Sequence, residues 1–283
     1  MNIILKKLVK NLQNFIYLFS MDTGIIIVNH SHKDSILKLI ESLYKFNDME
    51  NSKIIFIQNT PSPFLEDYFK SFTNIIYIQN KKIKGFSENI NYGIKTAKES
   101  FDPQYFLLLN PDIRLTENLS TPFKKIINND KEVGIVAPKL LNDDGSIQYS
   151  CRRFYSLKYI LTRMFRLNFI LGNKIEDNIL MKDFNHNKIS YVDWVSGAVM
   201  FFTKSFIDKV GFFDSKNYFM YAEDQDICLR TWHNNLKVVY CSEVQCYHSY
   251  ARKGSSLMPS MHNLYQLLST INMFKKFNFK LRR

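Results

Sequence analysis

The chain has 283 residues, of which 46% are hydrophobic and 15% aromatic, so it can bury the core of one large α/β domain and is not a disordered chain. Its formal net charge is +12, but residues 1–20 and 252–283 hold ten of the excess positive charges and no acidic residue. The nearly neutral middle argues against a nucleic-acid groove built into the fold.

Both charged ends show the spacing of apolar residues that is typical of amphipathic helices. The apolar positions are Leu5, Leu8, Leu12, Phe15 and Phe19 at one end and Leu264, Leu267, Leu268, Ile271 and Phe274 at the other. Neither end has the roughly 20 uninterrupted apolar residues that a membrane span requires. We predict a basic amphipathic extension at 1–20 and a basic amphipathic helix at 257–283. Each either lies on an anionic membrane surface or packs on the domain with its lysines in water.

Strands and helices alternate through the first half of the chain. Short β-branched or leucine-rich runs predict strands at 24–28, 53–57, 74–78 and 106–109. Helical spacing between them predicts helices at 31–46 and 64–72, and a third helix opens in "KGFSENINYGIKTAKES". This order is typical of a parallel sheet with helices on both faces. In such sheets, ligands bind beyond the carboxyl ends of the strands.

Polar side chains follow these strands directly. Asn29, Gln58, Asn59 and Asp112 come just after strand ends, so we expect them to share one edge of the sheet. Asp112 follows the run "YFLLLNP", in which the proline ends the strand. A carboxylate at such an exit suits Mg²⁺ or Mn²⁺, which prefer oxygen ligands and bridge phosphates. The alternative is that Asp112 is an ordinary turn or cap residue.

The second half is predicted from shorter signals. Residues 133–137 form a strand, and "NDDGSIQ" at 142–148 is an acidic hairpin turn whose Asp-Gly pair favours positive φ. Residues 151–190 are basic and aromatic and resemble a flexible or helical insertion. An apolar strand follows at 196–203, then a turn that leads into a helix, and "LKVVYCSEVQCYHS" supplies the closing strands.

Three carboxylates, Glu223, Asp224 and Asp226, stand together in "YAEDQDICLR". A helix N-terminus offsets part of their repulsion, so they are either ordinary first-turn acids or include a base that accepts a proton from a sugar hydroxyl. The preceding Tyr218, Phe219 and Tyr221 are candidates for a wall against a sugar ring. His248 follows the last strand and is either structural or a ligand of the ion at Asp112.

The cysteines contain no CxxC pair and no secretory signal accompanies them. They are Cys151, Cys228, Cys241 and Cys246. We predict that they are reduced packing residues of a cytoplasmic protein.

Three segments together resemble glycosyltransferase family 2 with the nucleotide-binding GT-A fold, and within it the rhamnosyltransferase-like enzymes of bacterial surface polysaccharide assembly. "LLLNPDIRL" is similar to that group's Asp-X-Asp motif with Asn in the first place, and "GFSENINYGI" is similar to its Gly- and Asn-rich loop. The most specific match is the block "YVDWVSGAVMFFTKSFIDKVGFFDSKNYFMYAEDQDICLR". The resemblance implies a GT-A domain at 21–256, with a nucleotide-sugar half at about 21–140 and an acceptor half at about 141–256.

The resemblance also implies a role for each matching residue. Asp112 would bind the metal, with His248 near it, and Asp224 would be the catalytic base. The residues expected to border the nucleotide are Asn29, Gln58, Asn59, Gly85, Asn89, Asn110 and Asp112. The residues expected on the acceptor side are Trp194, Ser196, Gly197, Glu223 and Asp226. Gln58 stands where the family often has Asp, which leaves the choice between uridine and thymidine open, and Arg152 and Arg153 match an arginine pair of unassigned role.

The implied activity is an inverting transfer of a sugar, with rhamnose as a candidate, from a nucleoside-diphosphate donor to a hydroxyl of a growing, lipid-linked glycan. The implied place is the cytoplasm, peripherally on the inner face of the cell membrane. Two alternatives stay open at this point, namely a non-catalytic nucleotide- or sugar-binding protein and a sugar nucleotidyltransferase. The latter would favour a Gly-rich phosphate loop after the first strand, where this chain has "VNHSHKDS".

Overall fold

The computed structural model describes residues 21–46, 49, 51–156, 159–160, 174–249, 261–278 and 280–281. The predicted extension at 1–20 lies outside these residues, as does part of the predicted insertion at 151–190.

The first half alternates strands and helices as predicted. Its strands are β1 (Thr23–Asn29), β2 (Ser52–Gln58), β3 (Ile75–Gln79), β4 (Tyr105–Leu109), β5 (Ile113–Leu115) and β6 (Val133–Leu141). Its helices are α1 (Lys33–Phe46), α2 (Pro63–Phe69), α3 (Phe86–Ser100) and α4 (Ser120–Asn129).

The second half has shorter elements. Its strands are β7 (Ile147–Gln148), β8 (Cys151–Arg152), β9 (Ser190–Tyr191), β10 (Trp194–Val195), β11 (Val199–Thr203) and β12 (Lys237–His248). Its helices are α5 (Lys174–Ile179), α6 (Lys204–Val210), α7 (Glu223–His233) and α8 (Met261–Lys276). The closing strands were predicted as several; they form one strand, β12, whose pairing with β6 is interrupted by a bulge between Cys241 and Gln245.

The central sheet has the strand order β3-β2-β1-β4-β11-β6-β12-β5. Strands β1 to β4 are parallel to one another, and β6 is parallel to β12. Strand β11 lies antiparallel between β4 and β6, and β5 is antiparallel to β12. The predicted mostly parallel α/β sheet with helices on both faces is therefore confirmed, with β11 from the second half inserted into it.

Both faces of the sheet are covered, which explains its continuous apolar strands. Ile26 of β1 packs with Ile90 and Ile94 of α3 on one face, and Ile25 packs with residues of α1 on the other. Helix α3 lies so close to β1 that a Cβ on Gly93 would come within 2.8 Å of Ile26 Cγ2. A glycine inside this helix therefore has a packing reason.

Two smaller predictions are also confirmed. The hairpin between β6 and β7 turns at Gly145, whose φ is +81°, as the Asp-Gly pair predicted. The four cysteines are buried, as predicted for packing residues.

Helix α8 confirms the predicted C-terminal helix over its described part. One side of it packs on the segment before α7, while Leu264, Leu268 and Ile271 are exposed. None of the helices in the described ranges is long and apolar enough to span a bilayer.

Candidate active site

The loop after β4 carries Asp112 and is anchored at its start. The N–H of Asn110 donates to the carbonyl of Ala198 at 2.8 Å, just before β11 begins. Pro111 has no N–H to continue the ladder, and the chain turns into β5, which pairs with the end of β12. In this register, Nε2 of His248 lies 3.2 Å from Oδ1 of Asp112. The structure thus brings together the two residues that the sequence predicts as metal ligands.

His248 is oriented by a third residue, which the sequence reading missed. Its Nδ1 lies 2.6 Å from Oε1 of Gln148 on β7. Because an amide oxygen accepts, Nδ1 carries the proton, and in the neutral ring Nε2 is an acceptor that faces the acceptor oxygen of Asp112. Two acceptors this close repel each other unless a proton or a cation lies between them. The pair can therefore hold a divalent cation.

The donor set also limits which ions fit. Within the described ranges, no three His, Cys, Asp or Glu side chains cluster as a metal site. A cation at Asp112 would therefore take most of its ligands from phosphate oxygens and water, which is the usual situation for Mg²⁺ and Mn²⁺. Asp112 keeps 17% of its side chain exposed, so its oxygens are reachable from solvent.

The second carboxylate centre lies at the start of α7. Tyr221 and Ala222 both adopt left-handed backbone conformations, with φ of +71° and +66°. Such strain in two consecutive non-glycine residues is typical of functional sites. Immediately afterwards, Asp224 accepts hydrogen bonds from the N–H of Gly197 at 3.2 Å and from that of Gln225 at 2.8 Å. The carboxylate is therefore held by backbone donors at the edge of β11.

Burial and charge act on this centre in opposite directions. Burial raises the pKa of Asp224, and the hydrogen bonds from Gly197 and Gln225 and the positive charge of Arg152 oppose that rise. Burial is the main cause that raises the pKa of Glu223, and the negative charge of the nearby Asp224 raises it further. Oε2 of Glu223 is buried and has no hydrogen-bond partner among the described residues. Asp224 is thus a carboxylate whose basicity is raised, as a general base requires.

An open cavity of about 690 Å³ is lined by residues that lie next to the two centres. Its lining includes Gln148, Ser150, Arg152, Ser196 and His248. His248 contacts Asp112, and Ser196 directly precedes Gly197, whose N–H donates a hydrogen bond to Asp224. Asp112 thus contacts one residue of the cavity wall, and Asp224 contacts the chain neighbour of another.

Arg152 is held in place by Trp194. The guanidinium carbon lies 5.1 Å from the centre of the indole ring, and Nε donates to the carbonyl of Tyr149 at 2.9 Å. Trp194 is itself buried, and its Nε1 donates to the carbonyl of Arg153. The prediction that Trp194 lines the acceptor side is corrected, because the ring supports Arg152 from the core. Ser196 remains a cleft residue, and Gly197 acts through its N–H.

Asp226 is not part of the cleft, so the prediction that it contacts the acceptor is wrong. Its side chain is fully buried and accepts hydrogen bonds from Arg230 at 2.7 Å and from Lys276 of α8 at 2.6 Å. Two positions along a helix point about 200° apart, so Asp226 faces away from Asp224. Tyr218 is fully buried too and donates to Asp226, which removes it from the predicted sugar wall.

The amide side chains predicted to border the nucleotide form an internal network. Asn29 donates to Gln58 at 2.8 Å, and Gln58 donates to the carbonyl of Thr60 at 2.6 Å. Gln58 is thus buried, with a protein partner at each end of its amide. Asn29 likewise accepts from the N–H of His32. These hydrogen bonds fix the loops that follow β1 and β2 at this edge of the sheet.

A second part of the network was missed because its centre, Asn80, has no motif. Asn80 donates to Asn59 at 2.9 Å and to Asn89 at 2.7 Å. Asn89 also donates to the carbonyl of Gly85 at 3.0 Å. The network thereby fixes the loop before α3, and a Cβ on Gly85 would lie 2.6 Å from the carbonyl oxygen of Phe219. The Gly- and Asn-rich loop therefore contacts the segment that leads to Asp224.

This architecture is a mostly parallel α/β sheet with one carboxylate just after β4 and a second at the start of α7. The sequence model described as "Glycosyl transferase family 2" matches residues 24–189. The chain belongs to this family and is an enzyme of the hexosyltransferase type.

Two characterised relatives support the assignment. The chain is 33% identical over 212 residues to "Rhamnosyltransferase WbbL" of Escherichia coli, covering 73% of this chain and 75% of that protein. It is 24% identical over 229 residues to "Low-salt glycan biosynthesis hexosyltransferase Agl10" of Haloferax volcanii, covering 81% of this chain and 67% of that protein.

Solved structures share the fold. A structure of GalNAc-T7 with UDP, GalNAc and Mn²⁺ superposes with a TM-score of 0.66 at 14% identity, over 90% of this chain and 48% of that one. The mannosyltransferase PcManGT of Pyrobaculum calidifontis, with GDP-Man and Mn²⁺, superposes with a TM-score of 0.58 at 10% identity, over 92% and 64%. The chain therefore spans about half the length of the GalNAc-T7 chain.

Proposed function

We propose that the chain transfers a sugar from a nucleoside-diphosphate donor to a hydroxyl of a growing glycan, with inversion at the anomeric carbon. The observation that carries this proposal is the link between the two carboxylate centres. Asn110, before Asp112, bonds to Ala198, and Gly197, before Ala198, bonds to Asp224. A donor at one centre and an acceptor at the other would share a single cleft.

The donor side is built around Asp112. Asp112 and His248 would hold Mg²⁺ or Mn²⁺, which supplies positive charge to the diphosphate as it departs. The Mn²⁺ in the GalNAc-T7 and PcManGT structures supports this choice of ions. Gln148 fixes the His248 ring, and the Asn80 network fixes the loop at Gly85. Together these contacts preorganise the donor side before any ligand binds.

The transfer step needs one base. Asp224 takes the proton of the acceptor hydroxyl as that oxygen bonds to the anomeric carbon, and the bond from this carbon to the diphosphate oxygen breaks. Attack comes from the face opposite the diphosphate, so the configuration inverts. The backbone donors Gly197 and Gln225 keep the carboxylate oriented toward the cleft. Arg152, on the cavity wall, favours the ionised form of the base.

The relatives suggest a donor and a place. The identity to "Rhamnosyltransferase WbbL" makes nucleoside-diphosphate rhamnose the first donor to test. The acceptor that we propose is the growing end of a lipid-linked glycan at the inner face of the membrane. The concentration of positive charge in residues 1–20 and 252–283 supports a position beside anionic lipid.

The proposal is tested by incubating the protein with a panel of nucleotide sugars and Mg²⁺ or Mn²⁺ and measuring the release of nucleoside diphosphate. We expect slow release with one donor and none after chelation of the metal. Release of pyrophosphate from a nucleoside triphosphate and a sugar phosphate would instead identify a nucleotidyltransferase, and would contradict the proposal.

Two variants separate the roles of the carboxylates. Asp224→Asn removes the base and should lower transfer by about 10²–10⁴-fold while donor binding survives. Asp112→Ala should weaken donor binding only when the metal is present. Calorimetry with the nucleoside diphosphate, with and without Mn²⁺, distinguishes the two. If the Asp224→Asn protein also loses the nucleotide, the assignment of separate roles is wrong.

A further inference from the structure

Helix α8 has one face that contacts the catalytic segment and one that is exposed. At 3.6 residues per turn, five large apolar residues share the exposed face. They are Met261, Leu264, Leu267, Leu268 and Ile271, each at least 40% exposed. We call this surface the α8 ridge. A cluster of this kind is uncommon on a water-soluble surface and is typical of an interaction site.

The opposite face of α8 holds the segment that leads to the base. Ser269 donates to the carbonyl of Met220 at 2.8 Å, and the ring of Tyr265 stacks on Phe219 with centroids 5.0 Å apart. The carbonyl of Phe219 in turn accepts from the N–H of Phe86, at the start of α3. The helix thus contacts the two residues that precede the left-handed turn before Asp224, and one of them, Phe219, contacts Phe86 beside the loop at Gly85.

The positive charge around the α8 ridge indicates which kind of partner the ridge binds. Residues 252–283 contain seven basic residues and no acidic one, and Lys275 and Lys280 are exposed beside the helix. A second copy of the chain would bring like charges together. The extension at 1–20 also has lysines and no acid. An anionic lipid surface complements both the apolar and the basic character of α8.

We propose that α8 docks on an anionic bilayer through its ridge and thereby places the cleft at the lipid surface. Because its other face contacts Met220 and Phe219, the docked helix fixes the orientation of the acceptor side relative to the bilayer. The inference rests on the proposed function only for the use of this position, which is access to a lipid-linked acceptor.

The test uses the full chain and vesicles, without any sugar nucleotide. Wild-type protein should cosediment with vesicles of phosphatidylcholine and phosphatidylglycerol, less with phosphatidylcholine alone, and less at high salt. The ridge variant Leu264→Gln/Leu268→Gln should bind about tenfold more weakly, because two exposed apolar side chains that would enter the bilayer are replaced by polar ones. Phe64→Gln/Ile83→Gln is the matched control, since these residues are similarly exposed elsewhere, and it should bind like wild type.

The outcomes separate the inference from the proposed function. Equal vesicle binding by the ridge variant and wild type would overturn the inference, as would a wild-type dimer that the ridge variant converts to monomers and that binds no vesicles. Nucleoside-diphosphate release without vesicles should be unchanged in the ridge variant, because the ridge faces away from Phe219 and Met220. Absence of release in the wild type would count against the proposed function and leave the vesicle result valid.

Discussion

Arg152 and Arg153 are adjacent in the chain but differ in their relation to Asp224. Arg152 lines the cleft, stacks on Trp194 and lowers the pKa of Asp224 by its charge. Arg153 points to another region, where its guanidinium donates to the carbonyl of Asn178. The sequence alone could not separate the two roles, because the difference lies in which element each side chain contacts, β10 for Arg152 and α5 for Arg153.

This difference predicts distinct pH profiles. Transfer should increase with pH as Asp224 loses its proton, since burial raises its pKa and only the ionised form accepts a proton. Arg152→Gln removes a charge that lowers this pKa, so the rising limb should move to higher pH. Arg153→Gln should leave it in place. The measurement is the pH dependence of kcat/KM for the best donor, and a limb that moves equally in both variants contradicts the assignment.

At the scale of elements, the sequence predicts those that depend on interactions between residues close together in the chain. Buried strands such as β1 and β4 could be predicted because their apolar runs are local signals, and the hairpin at Gly145 because its turn requires positive φ. The antiparallel position of β11 could not be predicted from the sequence, because it results from pairing with residues far away in the chain. Asp226 was misread for the same reason, because its partner Lys276 lies 50 residues further on.

The contact between α8 and α7 predicts a stability effect at Lys276. Its ammonium bonds to the fully buried Asp226 at 2.6 Å and to Asp214 at 2.8 Å. Lys276→Met leaves a buried carboxylate with one fewer donor and should lower the free energy of unfolding by about 1–3 kcal/mol. The adjacent, exposed Lys275 provides the matched control Lys275→Met, which should change it by less than about 0.5 kcal/mol. Urea denaturation of both variants measures the difference.

The ion pair between Lys276 and Asp214 also makes the stability of the protein depend on pH. Burial alone would raise the pKa of Asp214, but hydrogen bonds from Lys276 and Asn217 lower it to about 2. A carboxyl with a lowered folded-state pKa stabilises the protein above its unfolded pKa of about 3.9, and this contribution disappears as the pH falls toward 2. Lys276→Met should therefore lose less stability than wild type between roughly pH 4 and pH 2. An identical loss in both proteins would contradict the assignment.

At the scale of the whole molecule, the predicted division near residue 140 cuts through the central sheet. Strand β11 of the acceptor half separates β4 from β6, which both belong to the nucleotide half. The halves are also joined by the contact of Asn110 with Ala198 and by that of Gly85 with Phe219. The sequence could suggest two functional halves because their motifs are separate, but only the strand order reveals that they share one core.

The shared core predicts that the nucleotide half does not fold alone. A fragment of residues 21–140 would leave β4 and β6 with unpaired edges where β11 belongs, exposing Phe106, Leu108 and Ile135, which are fully buried in the whole chain. We expect it to show poorly dispersed amide signals by NMR, and coexpression with residues 141–283 to restore them. The full chain should unfold in a single calorimetric transition. A fragment 21–140 that gives a dispersed spectrum and binds nucleotide without its partner would show that β11 is not needed to complete the sheet.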